Sequence, residues 1–434
     1  MSRAMPSRGQ QQGAATLVVV MVLFLVMALL AAYANRDLLF EQRMASSYFR
    51  GSLSQEVAEA GVEWTLAQLN GTALDAACAP AATGGMRFAD KYLNTNPETR
   101  AISPINDTDI LADCTRDTGG WTCRCQAPGA RVKPAAVVSN MPTPSFGVQL
   151  SGKLNLPGAP VTRPGTLRLL VNGCSSSVID DCLPLQANQN ARLQRALDKL
   201  TITVALVSAV RSPPAAPLVV RGAVASTGTG LGLHNTDARS AGVLMVAGGA
   251  ATGLIDTRMD SLPGTPLSDA LQTSDATLGN AALPAGGVFR MFMGMTPTQY
   301  RTHPALRMVS CSGDCAATLA DAYAAGQRMV WVDGPMELAS NQTLGSATDP
   351  MVVIANGAVT LTGPLQLNGM LVALGDLDWI NNSGMPSRVQ GMVLVEGQVN
   401  TAGTVDIVYQ QAIADQLRNR LGSYVRVPGG WIDE

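Results

Sequence analysis

From Ala14 to Ala34 the chain carries no Asp, Glu, Lys or Arg, and this stretch contains the apolar run Val18-Val19-Val20-Met21-Val22-Leu23-Phe24-Leu25-Val26-Met27. At about 1.5 Å rise per residue the uncharged stretch covers roughly 30 Å as a helix, which is the thickness of a bilayer core. The polarity then changes, but the helical pattern continues. Asn35 to Leu69 holds no proline, and its two glycines, Gly51 and Gly61, each cost about 1 kcal/mol relative to Ala. Leu53, Val57, Ala60, Trp64 and Ala67 recur at steps of four, three, four and three, which puts them on one helix face. Leu66 and Leu69 widen that stripe, and Asn70-Gly71 is a stop, because both residues tolerate the left-handed conformation past a helix end. The pattern predicts a single helix from Ala14 to about Leu69, roughly 80 Å long. Its first half is suited to lipid and its second half to packing on a soluble head.

Beyond residue 70 the periodicity shortens. Leu167-Arg168-Leu169-Leu170-Val171 and Leu200-Thr201-Ile202-Thr203-Val204-Ala205-Leu206-Val207 read as strands, until Arg211-Ser212-Pro213-Pro214 breaks the chain. From 216 on, short apolar runs alternate with glycines, as in Leu218-Val219-Val220 and Val243-Leu244-Met245-Val246. The texture returns in Met351-Val352-Val353-Ile354, Gly369-Met370-Leu371-Val372-Ala373-Leu374 and Gly391-Met392-Val393-Leu394-Val395, at a period near 20. Short strands with glycine corners at such a period predict a parallel β-solenoid, with an ordinary antiparallel sheet as the alternative. Between the two stretches, about 296 to 330, the chain looks helical. Thr298-Gln299-Tyr300-Arg301 follows Pro297, and Ala316 to Ala325 ends at Gly326. The expected fold is therefore α+β, a long N-terminal helix carrying a large, mainly-β, disulfide-bonded head. Its sections are 1–13 leader, 14–70 spine, 71–215 Cys-rich β, 216–295 Gly-rich β, 296–330 helical insertion capping the solenoid, and 331–434 solenoid-like.

Composition narrows the partners. Charged residues are 14% of the chain, and Gly and Pro number 43 and 25, which favours strands and turns in the head. Net charge is −2, or −4 without Arg3 and Arg8. Neither value suggests a nucleic-acid partner, and no basic stripe is visible in the sequence. All eight cysteines (Cys78, Cys114, Cys123, Cys125, Cys174, Cys182, Cys311 and Cys315) follow the apolar helix, as disulfides on the oxidising side of a membrane would. Spacing suggests Cys174 with Cys182 and Cys311 with Cys315. Cys123 and Cys125 are too close to pair, so each is expected to reach Cys78 or Cys114. Zinc ligation by Cys123-Arg124-Cys125 and Cys311 to Cys315 is the alternative.

The sequence carries no recognised catalytic pattern. The two histidines, His234 and His303, read as exposed turn residues, and no nucleophile elbow, HExxH or P-loop occurs. The chain is expected not to be an enzyme and to need no cofactor or metal. Calcium at Asn106-Asp107-Thr108-Asp109 or Asp376-Leu377-Asp378 is the exception these residues would allow, although neither continues as an EF-hand.

The layout of the first 70 residues resembles that of a known group. A secretory signal would place its cleavage site after the apolar run, and Ala31-Ala32-Tyr33-Ala34 is the nearest approach to one. A polar leader ending in Gly13, then an apolar helix, is instead the layout of a type IV prepilin. Gly13-Ala14-Ala15-Thr16-Leu17, Glu41-Gln42-Arg43-Met44-Ala45-Ser46 and Ala58-Glu59-Ala60-Gly61-Val62-Glu63 resemble the N-terminal region of PilX-type minor pilins. Tyr424 to Asp433, with Pro428-Gly429-Gly430-Trp431-Ile432-Asp433, is similar to the ending of that family, Gly430 and Ile432 being departures. The resemblance implies cleavage by prepilin peptidase between Gly13 and Ala14, with N-methylation of Ala14. It implies a single-pass inner-membrane protein with a periplasmic head, extracellular on the pilus after assembly. The implied partners are other minor pilins, the major pilin, the inner-membrane pilus assembly machinery and a tip adhesin, with roles in pilus assembly and cell adhesion. Major pilins carry Glu at the fifth mature position, where this chain has Val18. That departure, together with the large head, implies low copy number in a priming or tip complex. A K-like minor pseudopilin of type II secretion, which also lacks the glutamate, is the nearest alternative. A membrane-anchored β-solenoid that binds or acts on carbohydrate is the more distant one.

Overall fold

The computed structural model describes residues 12–433 except 82–83, 108, 131–136, 138–142, 153, 157–158, 162 and 184–194. The apolar run and the stripe that follows it form one unbroken helix, Gln12–Leu69, here called the spine. It ends as the Asn70-Gly71 stop predicts, the Asn70 side chain donating back to the Leu66 carbonyl at 2.8 Å.

The spine packs across a six-stranded antiparallel sheet. The strand order is Gly422–Asp433, Leu197–Ser208, Thr166–Cys174, Ser145–Ser151, Ala112–Asp117 and Gly120–Cys125. The face that meets the sheet is rotated from the predicted one. Ser54, Val57, Ala58, Gly61, Val62, Thr65 and Leu69 are buried, whereas Ala60 and Trp64 are half-buried and Ala67 is exposed. The reason is close approach. A Cβ on Gly61 would lie 2.6 Å from Val171 Cγ1, and one on Gly173 would fall onto the Ser54 carbonyl oxygen. Small residues on both sides let the helix sink to the sheet, so the deepest line follows size rather than hydrophobicity. Trp64 lies beside it and packs on Phe88 and Phe146, with ring centroids at 5.9 and 5.6 Å.

The second unit is a parallel β-solenoid with three strands per coil. One register line runs Val330, Val353, Leu371, Val393, Leu218, Met245, Leu271, each the Cα partner of the next. A second runs Met336, Val359, Leu377, Val399, Val224, Ala251. These side chains fill the interior together with buried Trp379. Where successive coils turn, Gly369 and Gly391 have φ of 145° and 137°, and a Cβ on either would strike the carbonyl oxygen of the coil beneath. The predicted period of near 20 is this coil.

The register corrects the sectioning. Stretches 216–295 and 331–434 were separated by an insertion, yet strands from both stack in one solenoid. The coil of Arg388–Val395 and Val399–Gly403 lies directly on the coil of Leu218–Val220 and Val224–Thr227. The last coil of the sequence therefore packs on the first. The 296–330 section is not all helical either, because Leu306–Val309 is a strand paired with Met329–Val332. Cys311–Cys315 thus joins the end of a strand to the start of the helix Ala316–Ala324. That helix buries Ala316, Leu319 and Ala322 in the solenoid interior, as a cap. Nor does 331–434 remain solenoid. The helix Gln411–Asn419 lies on the outside of the solenoid, and Gly422–Asp433 returns to the antiparallel sheet beneath the spine.

Candidate membrane and assembly helix

The first half of the spine is apolar and uncovered. Leu17 to Leu30 and Tyr33 are exposed wherever they are large and hydrophobic, with Phe24 at 70% and Met21 at 66%. An 18-residue window of this helix has mean hydropathy 3.0 and none of it is buried, so the helix is long and apolar enough to cross a membrane. Val18 lies within this surface, 59% exposed. The Gly13–Ala14 junction falls in the first turn of the helix, while leader residues 1–11 lie outside the described residues.

Between the apolar half and the first contact with the head is a neck, residues 36–50. Here Leu38, Leu39, Phe40, Met44, Tyr48 and Phe49 are all more than half exposed. At about 100° per residue these six side chains spread over most of the helix circumference, the widest gap between them being filled by Arg36, Arg43 and Arg50. A helix that exposes large apolar side chains on several sides is suited to contacts with more than one neighbour. Charged Arg36, Glu41, Arg43 and Arg50 are interspersed among them.

The head grips the other end of the spine at two points. The Asn70 side chain donates to the Tyr424 carbonyl at 2.8 Å and accepts from the Tyr424 N–H at 2.7 Å. About two turns earlier, Glu63 is ion-paired with Arg426. The antiparallel unit is tied to the solenoid by a charged cluster. Arg87 pairs with Asp90 at 2.6 Å and with Asp349 at 3.2 Å, Arg328 with Asp349 at 2.7 Å, and Arg420 with Asp90 at 3.3 Å. Burial works against the charge on Asp349, but the Arg328 hydrogen bond and the nearby Arg87 and Arg420 outweigh it and hold its pKa below the usual carboxylate value.

The cysteines form four bridges, Cys78–Cys125, Cys114–Cys123, Cys174–Cys182 and Cys311–Cys315. Cys114 and Cys123 face each other across a hairpin, and Cys78–Cys125 ties the chain just past the spine to the sheet edge. With every sulfur in a disulfide, the zinc alternative has no ligands left.

The histidines are not exposed turn residues. His303 is buried and its Nδ1 lies 2.5 Å from the Ser423 hydroxyl, which also accepts from the Ala305 N–H at 2.9 Å. Burial pushes its pKa down. His234 ends a solenoid strand, with Nδ1 2.6 Å from Asp260 and Nε2 3.2 Å from Asp406, which also holds Arg258 at 2.5 Å. The Asp406 hydrogen bond raises the His234 pKa, with Asp260 adding to it. The acidic turns are used internally. Asn106 and Asp109 hydrogen-bond each other at 2.6 Å, Asp376 accepts from the Gln398 N–H at 2.8 Å, and Asp378 accepts from Asn400 at 2.8 Å. Thr108 lies outside the described residues.

The helix with its exposed apolar half, its neck and its gripped end spans the three motifs read from sequence. Residues 12–63 match the PilX N-terminal family. The matched segment covers the apolar half, the neck and most of the face that packs on the sheet. The resemblance noted at 424–433 falls outside the match, although those residues sit against the segment in space. No curated protein and no solved structure matches the chain. Sequence reasoning missed Asn70 as a clamp, seeing in it only a helix stop. Its partner lies 354 positions away, and nothing local signals it.

Proposed function

We propose that the protein is a minor pilin of a type IV pilus, a non-catalytic subunit that primes assembly or sits in the tip complex. The observation that carries this reading is the coincidence of the PilX N-terminal match with an uncovered apolar helix that runs into a folded head. In this reading prepilin peptidase cuts after Gly13 and Ala14 becomes the methylated N-terminus. The apolar half then holds the subunit in the inner membrane, with the head in the periplasm, until assembly exchanges lipid contacts for helix–helix contacts. The exposed Leu38, Leu39, Phe40, Met44, Tyr48 and Phe49 of the neck support burial among other pilin helices, from minor pilins and the major pilin. Val18 and the bulk of the head favour few copies near one end of the filament. A carboxylate at that position would have to be neutralised inside the membrane by a partner, and Val18 needs none.

The test is the mass of the mature N-terminal peptide from membranes with and without active prepilin peptidase. A peptide starting at methylated Ala14, lost without the peptidase, is expected, and an intact leader or a cut beyond Ala34 would end the reading. Position is tested separately with Val18→Glu, which should raise incorporation along the shaft. Unchanged incorporation would show that residue 18 does not set position.

A further inference from the structure

The three outer faces of the solenoid are used differently. On the first, Val352, Ile354, Met370 and Val372 pack under the helices Gly287–Met293 and Gln411–Asn419. On the second, Asn400 donates to Asp378 at 2.8 Å, so neighbouring coils satisfy each other. The third face is formed by the last strand of each coil. There Leu344, Leu367, Val389, Ile407, Leu233 and Met259 are successive Cα partners and fill the interior. Side chains alternate along a strand, so the residues just before them form one outward ladder: Thr343, Gln366, Arg388, Asp406, Gly232 and Arg258. The residues just after them form a second, from Asn368 through Gln390, Val408 and His234 to Asp260. Every polar side chain on these two ladders is exposed or half-buried.

At one end the ladders are closed on themselves. Gly232 has no side chain, and a Cβ there would fall onto the Asp406 carboxylate. Over that gap Asp406 accepts from Arg258 at 2.5 Å and lies 3.2 Å from His234 Nε2, while Asp260 lies 2.6 Å from His234 Nδ1. Two carboxylates are thus taken up by one guanidinium and one imidazole. Arg388, one step further along, is different. Its Cα partner is Asp406, yet among the described residues Arg388 makes no hydrogen bond, and neither do the side chains of Gln366 and Gln390 beside it. A few positions upstream in the same coils, Gly228, Thr229, Asn382, Gly384, Gly403 and Thr404 line a depression of about 440 Å³. A volume in the range of small-ligand sites therefore adjoins a row of unused donors.

We propose that this face binds an acidic polysaccharide, a linear chain of pyranoses bearing carboxylates, with Arg388 on a carboxylate, Gln366 and Gln390 on ring hydroxyls, and the neighbouring sugar in the depression. Coils stack about 4.8 Å apart, close to the advance of one sugar unit, so a polymer laid along the solenoid axis meets an equivalent position at each coil. A guanidinium takes a carboxylate through two parallel N–H groups, and a side-chain amide both donates and accepts, as a hydroxyl requires. Asp406 does not repel the incoming anion strongly, because Arg258 opposes its charge, as does His234, whose pKa is raised by the Asp406 hydrogen bond first and by Asp260 as well. A nucleic acid would call for a row of free cations and stacking aromatics, whereas the ladders offer one unbonded guanidinium and no aromatic. A protein partner would call for an apolar or aromatic anchor, and Val408 is the one large apolar side chain on them. Residues 351–410 alone contribute only Arg388 as a cation; the stacking of 231–234 and 259–260 on 405–408 brings His234 and Arg258 to the same face. The inference stands on the solenoid register and not on the pilin reading.

The experiment titrates detergent-solubilised full-length protein, at physiological salt, with hexamers of galacturonate, mannuronate and hyaluronan by calorimetry. Saturable binding of at least one is expected, and its methyl ester should bind at least ten-fold more weakly. Arg388→Gln should cost at least ten-fold, while Thr360→Ala, on the second face, should change nothing. Thermal melts check that each variant is folded, and the pair Gln366→Ala and Gln390→Ala, which leaves Arg388 in place, should weaken binding several-fold as a second reading. No binding of any of the three at millimolar concentration, equal affinity for the ester, or full affinity in Arg388→Gln would overturn the proposal. So would dextran sulfate or single-stranded DNA binding as tightly as the sugar acids, since that would show attraction by charge alone.

Discussion

Asn70 and Tyr424 form a two-way hydrogen-bonded pair in which one side-chain amide satisfies both backbone groups of a strand residue, at 2.7 and 2.8 Å. The amide imitates a neighbouring strand, so the last turn of the spine is stitched to the edge of the sheet.

Asn70→Ala should lower head stability by about 2 kcal/mol, since each net hydrogen bond contributes about 1 kcal/mol. Asn70→Asp keeps the acceptor for the Tyr424 N–H but leaves the Tyr424 carbonyl without its donor, and should not recover the loss. Urea unfolding of the detergent-solubilised protein measures both, and wild-type stability in Asn70→Ala would show that the pair is incidental.

Three glycines on the spine and its sheet should respond in opposite ways. Gly173→Ala drives a methyl into the Ser54 carbonyl, and Gly61→Ala meets Val171 and Phe146, so both should destabilise by several kcal/mol. At Gly51 nothing lies within 4 Å, and Gly51→Ala should stabilise the helix by up to about 1 kcal/mol. Thermal melts rank the three, and a neutral Gly173→Ala would mean that the helix does not lie so close to the sheet.

The two histidines should give stability opposite pH dependences. The pKa of His303 is lowered in the fold, so its contribution is complete above the unfolded value of about 6.5 and is lost as pH falls below it toward the folded pKa. The pKa of His234 is raised, so its contribution is complete below about 6.5 and is lost as pH rises through the folded value. His303→Asn should flatten the acid side of a stability profile and His234→Asn the neutral-to-alkaline side. A profile unchanged by either would show that these contacts do not persist in solution.

The disulfides should differ in weight. Cys78–Cys125 spans 47 positions and Cys311–Cys315 only 4. Loop-closure entropy then assigns about 4 kcal/mol to the first and about 2 kcal/mol to the second. Double-serine variants compared by denaturant unfolding test the order, and a larger loss at 311/315 would reverse it.

The solenoid and the spine were legible for different reasons. The Ala14 to Leu69 helix is a local pattern, and the apolar run, the absence of proline and the Asn-Gly stop are all visible in the chain. The coil period was visible because glycine corners such as Gly369 and Gly391 repeat against apolar strands. The buried face of the spine was misplaced because hydrophobicity marks Ala60 and Ala67, whereas the contact is decided by the absence of bulk at Gly61 and Gly173, which lie on different elements. The order of coils could not be read, since Leu218 pairs with Val393 across 175 positions and any apolar strand would satisfy the same row. His303 looked like a turn residue because its burial comes from Ser423, far along the chain. Both the clamp at Tyr424 and the partner of Glu63 were hidden in the same way.

The stacking of residues 391–408 on 218–234 has a consequence for how the head comes into being. A chain that folds in sequence order exposes the 218–234 coil long before the coil of 391–408 that covers it. The sheet under the spine likewise waits for residues 422–433 to supply its edge strand and the Tyr424 clamp. Neither unit can close around an unfinished chain, so a truncated head would leave raw strand edges open to proteolysis. The architecture thereby couples the folding of both units to the arrival of residues 391–433, which supply the covering coil and the edge strand.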